Sequence, residues 1–211
     1  MTLYVCRHGR TEANASGLLL GRADPDLDPI GRAQAAAMAA ALPTPAVVLT
    51  SPLERCRQTA AAFASRNGAG VEVEVDERLV ELDYGDYDLV PLKDIPPDVW
   101  RQWREDPDFR PPGGETLQEL AVRVSAALDG LAGRAVEEDV VVVSHVSPIK
   151  AALAWALGVG IGVSWRSFVA QASVTEIGMS PTGPSLRMFN GVAHLDGVEQ
   201  AVARSSSAGD R

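Results

Sequence analysis

Residues 140–150 read Val140-Val141-Val142-Val143-Ser144-His145-Val146-Ser147-Pro148-Ile149-Lys150. Four consecutive apolar, β-branched residues suit a strand covered on both faces, which is the signature of a central strand in a parallel sheet. Ser147-Pro148 then predicts a helix to about Leu157. Working outward, Leu3-Tyr4-Val5-Cys6 forms a second apolar strand, predicted over 2–6, and it too ends beside a histidine, His8. The chain has three histidines in all. Two of them thus fall at strand ends, where open α/β sheets place their chemistry.

The rest of the chain alternates strand-like and helix-like segments, which predicts an α/β fold with three α/β/α layers and a mostly parallel sheet. Asp28-Pro29 supplies an N-cap and a preset first turn for an alanine-rich helix to about Leu42. Ala46–Leu49 is the next strand. Ser51-Pro52-Leu53-Glu54 has capping-box spacing and opens a helix to about Asn67. Val71–Val75 alternates apolar and acidic residues, as a strand nearer the sheet edge would. Thr116-Leu117-Gln118-Glu119 again has capping-box spacing, followed by Leu120, Ala121, Val124, Leu128 and Leu131 at helical period. Segments 173–178 and 185–189, joined by Ser-Pro-Thr-Gly, predict a closing hairpin.

Residues 76–115 interrupt this rhythm with many prolines and five aromatics: Tyr84, Tyr87, Trp100, Trp103 and Phe109. Such an irregular insertion reads as a lid or substrate wall, or as a satellite core under a long loop. One domain over 1–202 and a flexible polar tail over 203–211 complete the expectation.

The bulk properties narrow the function. The chain has 211 residues and a formal net charge of −9, which disfavours nucleic acid or an anionic membrane as the main partner. A small phosphorylated ligand needs only a few local cations and stays open. Cys6 and Cys56 cannot form a disulfide framework and fit a reducing cytoplasm. No apolar run approaches a membrane span. Cytoplasmic localisation is therefore expected, and oligomeric state is left open.

Arg7-His8-Gly9 at a strand end offers a forked donor for phosphate oxygens, an imidazole and a tightly turning backbone. A neutral imidazole can attack phosphorus and form a phosphohistidine. Arg55, at the start of a helix after the second strand, is a natural second cation, and His145 a third. Glu81 is placed to protonate the leaving oxygen, with Asp83 as a competitor. Cations next to Cys6 and Cys56 could lower a thiol pKa, although buried, inert thiols are the better expectation. His194 reads as a packing or hydrogen-bonding residue. No paired-histidine helix motif suggests a metal, and no cofactor motif such as G-x-G-x-x-G follows the first strand.

Six strings in order, RHGRTEAN, GRADPDLDPIGRAQA, SPLERCRQTA, DERLVELDYGDY, PPGGETL and VVVVSHVSPIK, span most of residues 3–195. Together they resemble the histidine phosphatase superfamily, which includes the cofactor-dependent phosphoglycerate mutases. SHVSPIK and the late NGVAHL look most like its cobalamin-precursor phosphatase branch. The resemblance implies His8 as nucleophile, Arg7, Arg55 and His145 as the phosphate pocket, and Glu81 as proton donor. It also implies phosphate contacts from Asn14 and from backbone near Gly21. The mutases of the group tend to be longer, so a metal-independent hydrolase of a small-molecule phosphate monoester is expected, with a phosphomutase or a non-catalytic phosphate-binding module as alternatives. Two departures stand out. The chain has Tyr87-Asp88-Leu89-Val90 where the family commonly has an aromatic, Glu and Gly, and Val146 where glycine is frequent. Both are expected on the substrate side of the pocket.

Overall fold

The computed structural model describes residues 1–66 and 70–209. Its six strands are β1 (Thr2–Arg7), β2 (Val47–Thr50), β3 (Glu72–Val75), β4 (Val140–Ser144), β5 (Val174–Ser180) and β6 (Gly183–Gly191), arranged in one sheet in the order β3-β2-β4-β1-β5-β6. β3, β2, β4 and β1 run parallel, and the β5–β6 hairpin adds antiparallel beside β1. All five residues of β4 are buried. Val140 and Val142 join one apolar cluster with Leu3, Val5 and Leu49, while Val141 and Val143 join another with Tyr4, Cys6 and Val48. Alternate valines thus feed opposite faces, which is why the first four positions of the strand are all apolar.

Helices cover both faces. α1 (Glu12–Ala15) is a single turn after β1. α2 (Pro29–Ala41) and α3 (Glu54–Ser65) pack on one side, contributing Met38 and Phe63. On the other lie α4 (Pro97–Glu105), α5 (Leu117–Glu137) and α6 (Val146–Leu157), with Val99, Leu120, Val124 and Ile149 in the core. The expected cap of α2 is present, with Asp28 accepting from the Gly31 amide at 2.7 Å. The Thr116–Glu119 capping box of α5 is present as well.

Three expectations change. α3 begins at Glu54 without a side-chain cap, because the Ser51 hydroxyl meets the His145 ring at 2.7 Å instead. Its end near Asn67 lies outside the described residues. α6 starts at Val146 with His145 as its N-cap residue, one position early. Finally, α7 (Val198–Gly209) is helical through most of the expected 203–211 tail and across the expected boundary at 202. It packs against α2, and alanine and arginine are good helix formers once such packing exists; residues 210–211 lie outside the described range.

The 76–115 insertion consists of α4 and short 3₁₀ turns at Glu77–Leu79, Gly85–Tyr87 and Leu92–Asp94. Trp103 is its buried centre. The rings of Tyr84, Tyr87, Trp100 and Phe109 surround it at 5.5–5.8 Å between centroids. This aromatic cluster is continuous with the main core, and Trp100 and Trp103 also wall a cavity. The same residues thus form a satellite core and line a cavity.

Candidate active site

The β1–β4 register pairs Arg7 with Ser144, so the next residues, His8 and His145, emerge side by side at the carboxyl edge. Their ring centroids are 5.1 Å apart. β2, the neighbour of β4, pairs Thr50 with Val143 and delivers Ser51 and the start of α3 to the same edge. A cavity of about 400 Å³ opens above them, and Arg7, His8, Asn14 and Glu81 are among its walls.

His8 is buried, and its Nδ1 lies 2.7 Å from the Gly9 carbonyl oxygen. A carbonyl only accepts, so Nδ1 carries the proton and Nε2 keeps its lone pair. Burial holds this imidazole well below the ordinary histidine range, and the nearby Arg55 and Arg7 charges push the same way. The backbone around it is fixed on every side. The His8 amide donates to Ser144, the Gly9 amide to the Thr59 hydroxyl at 3.1 Å, and the His8 carbonyl accepts from Ala172. Position 9 must be glycine because a Cβ there would overlap the backbone of Gly31.

Arg7 donates to the Val169 carbonyl at 2.8 Å, and burial brings its pKa down to about 10, which leaves it charged at neutral pH. Arg55 is fully buried. Its Nη1 and Nη2 donate to the carbonyls of Ala23 and Gly21, both at 2.7 Å, and its Nε donates to His145 Nδ1 at 3.2 Å. Because His145 Nδ1 accepts, its Nε2 carries the proton and donates to Ser51 Oγ at 2.7 Å. His145 is also held well below the ordinary range, first by burial and then by Arg55. No carboxylate forms a salt bridge with Arg7 or Arg55 among the described residues, although Glu81 acts on both through space and Asp24 and Asp88 act on Arg55.

Glu81 is buried opposite. Its carboxylate accepts from the Leu82 amide at 2.7 Å and from the Ser147 amide, in the first turn of α6, at 3.2 Å. Burial outweighs these bonds and raises its pKa, which favours a carboxyl that holds a proton. Asp83 is elsewhere: it accepts from the Gly85 amide and pairs with Arg22 at 3.3 Å, away from the cavity walls. Asn14 turns its carbonyl to Thr11, which leaves its NH₂ as the donor for the cavity.

The expected set therefore divides. Arg7, His8, Asn14 and Glu81 line the cavity, whereas Arg55, His145 and Gly21 stand behind it. Gly21 donates its amide to Asp88 at 2.7 Å and lends its carbonyl to Arg55. Asp88 takes the Ala23 amide on its other oxygen, also at 2.7 Å. Asp88, within the departure at 87–90, thus supports the residues that hold Arg55 and is not among the cavity walls, while Val146 does line the cavity as expected. Cys6 and Cys56 are fully buried, and burial raises both thiols, for Cys56 against the opposing charge of Arg55. His194 Nε2 donates to the Ala172 carbonyl oxygen, 2.8 Å away. Since a carbonyl accepts, it is a brace under the residue that holds the His8 backbone.

Sequence reasoning missed Ser51, Tyr84 as a wall bonded to Ser147 Oγ at 3.0 Å, Lys150, and a second wall formed by Ser164, Trp165, Phe168 and Gln171. The signal for that wall was present in Trp165 and Phe168, two large aromatics just past the helix stop at Gly158. Among the described residues, no group of three or more His, Cys, Asp or Glu could hold a metal ion, and no helix is long and apolar enough to cross a membrane.

Comparison with known proteins shows the family and the fold. The family model described as histidine phosphatase superfamily, branch 1, matches residues 3–191. A bifunctional protein of Mycobacterium tuberculosis is 34% identical over 200 residues, 92% of this chain. The chain spans only 54% of that relative's length. Phosphoserine phosphatase 1 of Hydrogenobacter thermophilus is 31% identical, with 92% of this chain and 93% of the relative covered. The crystal structure of the alpha-ribazole phosphatase of Shigella flexneri superposes with a TM-score of 0.79 at 27% identity, covering 90% of this chain and 96% of that one.

Proposed function

The chain belongs to the histidine phosphatase superfamily, and from that premise we propose that it hydrolyses a small-molecule phosphate monoester without a metal, through a phosphohistidine on His8. The observation that carries this reading is the Nδ1–Gly9 bond, which leaves a neutral imidazole with its Nε2 lone pair between a charged guanidinium, Arg7, and a carboxyl that favours its proton, Glu81.

In the first step Nε2 attacks phosphorus, the P–O ester bond breaks, and the Glu81 proton passes to the leaving oxygen. Arg7, with the Asn14 amide, meets the non-bridging oxygens; Arg55 adds positive potential from behind and fixes the His145 ring. In the second step the Glu81 carboxylate takes a proton from water, whose oxygen attacks the phosphohistidine. The P–N bond breaks, inorganic phosphate leaves, and His8 and Glu81 regain their starting states. The named relatives, a phosphoserine phosphatase and an alpha-ribazole phosphatase, support a small phosphomonoester as substrate. The negative net charge argues for a small ligand over nucleic acid, and the two unpaired thiols fit a cytoplasmic enzyme.

Hydrolysis of p-nitrophenyl phosphate with EDTA present, wild type beside His8→Ala, tests the proposal. Turnover that resists EDTA and disappears in the variant is expected. Activity that survives in His8→Ala overturns the nucleophile assignment, and activity abolished by EDTA overturns metal independence.

A further inference from the structure

Glu81, the proposed proton donor, lies in a stretch, residues 80–84, that belongs to no helix or strand. No ladder of helix or sheet bonds fixes it there. Its carboxylate is held by amides, but its main chain is held by a side chain from α5. Arg123 Nη1 donates to the Arg78 and Val80 carbonyls, both at 2.7 Å, and Nη2 donates to the Glu81 carbonyl at 3.2 Å. The guanidinium also forks onto the Glu115 carboxylate, with Nε meeting Oε1 at 2.7 Å and Nη2 meeting Oε2 at 2.9 Å. Every donor of Arg123 is thus used.

Glu115 closes the clamp from the far side. Its amide donates to the Asp83 carbonyl at 2.9 Å, and its carboxylate also receives Arg22 Nη2 at 3.2 Å. Carbonyls on both sides of Glu81, and that of Glu81 itself, therefore end on one Arg–Glu pair. The glycine before Glu115 permits the approach, because a Cβ on Gly114 would come within 2.5 Å of the Asp83 carbonyl oxygen. The Arg123 and Glu115 side chains are only 18% and 13% exposed. An exposed ion pair contributes little, whereas a forked pair withdrawn from water fixes geometry. Arg123 is not among the cavity walls, so the substrate does not meet it.

Resting on the proposed role of Glu81, we propose that Arg123, paired with Glu115, is a positioning residue that sets the reach of the Glu81 carboxyl to the leaving oxygen. It acts through the main chain of the acid and not on the phosphate. Proton transfer needs the donor within hydrogen-bond reach of the departing oxygen, so a shift of residues 80–84 is felt where the proton is delivered. The Arg123 charge also reaches His145, an effect that every ester would feel alike.

The test compares kcat/KM, which reports the first step, for phenyl and p-nitrophenyl phosphate in wild type, Arg123→Met, Glu81→Gln and the double variant. Only the phenyl ester needs the proton. Arg123→Met is expected to lower its kcat/KM by about 10- to 10²-fold and that of p-nitrophenyl phosphate far less. In the Glu81→Gln background the same substitution should add no further selective loss, because both changes remove one function. Equal losses with both esters in Arg123→Met, or selective losses that multiply in the double variant, overturn the proposal. Glu115→Gln, which keeps the shape and weakens the fork, should show a smaller loss of the same kind and serves the comparison if Arg123→Met does not fold. A Glu81→Gln variant that loses both esters equally overturns the proton-donor reading and this inference with it. A selective Glu81→Gln beside an unselective Arg123→Met overturns the inference alone.

Discussion

His8 Nδ1 and the Gly9 carbonyl oxygen stand 2.7 Å apart, and that contact decides which nitrogen of the nucleophile is free. The Gly9 carbonyl can hold this position because its residue packs against Gly31 with no room for a side chain. Gly9→Ala is therefore expected to destabilise the fold by about 1–3 kcal/mol through overpacking. It should also lower kcat more than it raises KM, since the phosphate-binding donors are elsewhere. Urea unfolding and steady-state kinetics read both effects. A stable variant with wild-type kcat would show that the glycine is incidental.

Glu81 should matter in proportion to the leaving group's need for a proton. Glu81→Gln keeps the shape and removes the acid, so phenyl phosphate turnover should fall about 10²- to 10⁴-fold. The loss for p-nitrophenyl phosphate, whose phenolate departs unaided, should be far smaller. Because burial raises Glu81 and lowers His8, the proton-dependent rate should decline as pH rises through the elevated carboxyl pKa. On the acid side it should persist below the usual histidine range. Equal losses with both esters would remove Glu81 from the acid role.

Asp88 and Arg55 never touch, yet the carboxylate holds the two amides whose carbonyl partners hold the guanidinium. Asp88→Ala should free the 21–23 loop and let Arg55 shift. A displacement on the ångström scale can cost about 10²-fold, so kcat/KM and the affinity for vanadate should fall together. Unchanged vanadate affinity would contradict the positioning role.

The buried histidine pair should also tie stability to pH. Both are held low in the folded protein, so the unfolded chain binds their protons first. The stability they contribute is present above the unfolded histidine pKa and is lost as pH falls below it, by up to about 1.4 kcal/mol per pH unit for each ring. Unfolding free energies at pH 7.5 and 5.5 should therefore drop less in His145→Gln than in wild type. Parallel drops would mean that His145 titrates normally when folded.

Much of this site can be read along the chain, because a parallel sheet turns strand ends into neighbours. Knowing that 2–6 and 140–143 are strands is nearly enough to bring His8 beside His145. Glu81 could be placed beyond β3 by the same logic. What escaped was decided by contacts distant in sequence. Ser51 has a local capping signal, but His145, 94 residues away, takes its hydroxyl. Arg55 is placed after β2 by position, but only the folded structure shows that carbonyls 32 and 34 residues before it hold its two terminal nitrogens. The wall at 164–171 was signalled by Trp165 and Phe168, but nothing local says that these rings face the cavity, and the helix α7 packs against α2, more than 150 residues before it in the chain.

The central claim is that His8 carries the phosphoryl group during turnover. Rapid mixing with p-nitrophenyl phosphate, an alkaline quench and peptide mass spectrometry would look for it directly. The account predicts an acid-labile, alkali-stable phosphoryl group on the peptide containing His8, forming as fast as p-nitrophenol appears in the first turnover and missing in His8→Ala. Full turnover with no such adduct under conditions where hydrolysis of the intermediate is slow, or an adduct on another residue, would contradict it.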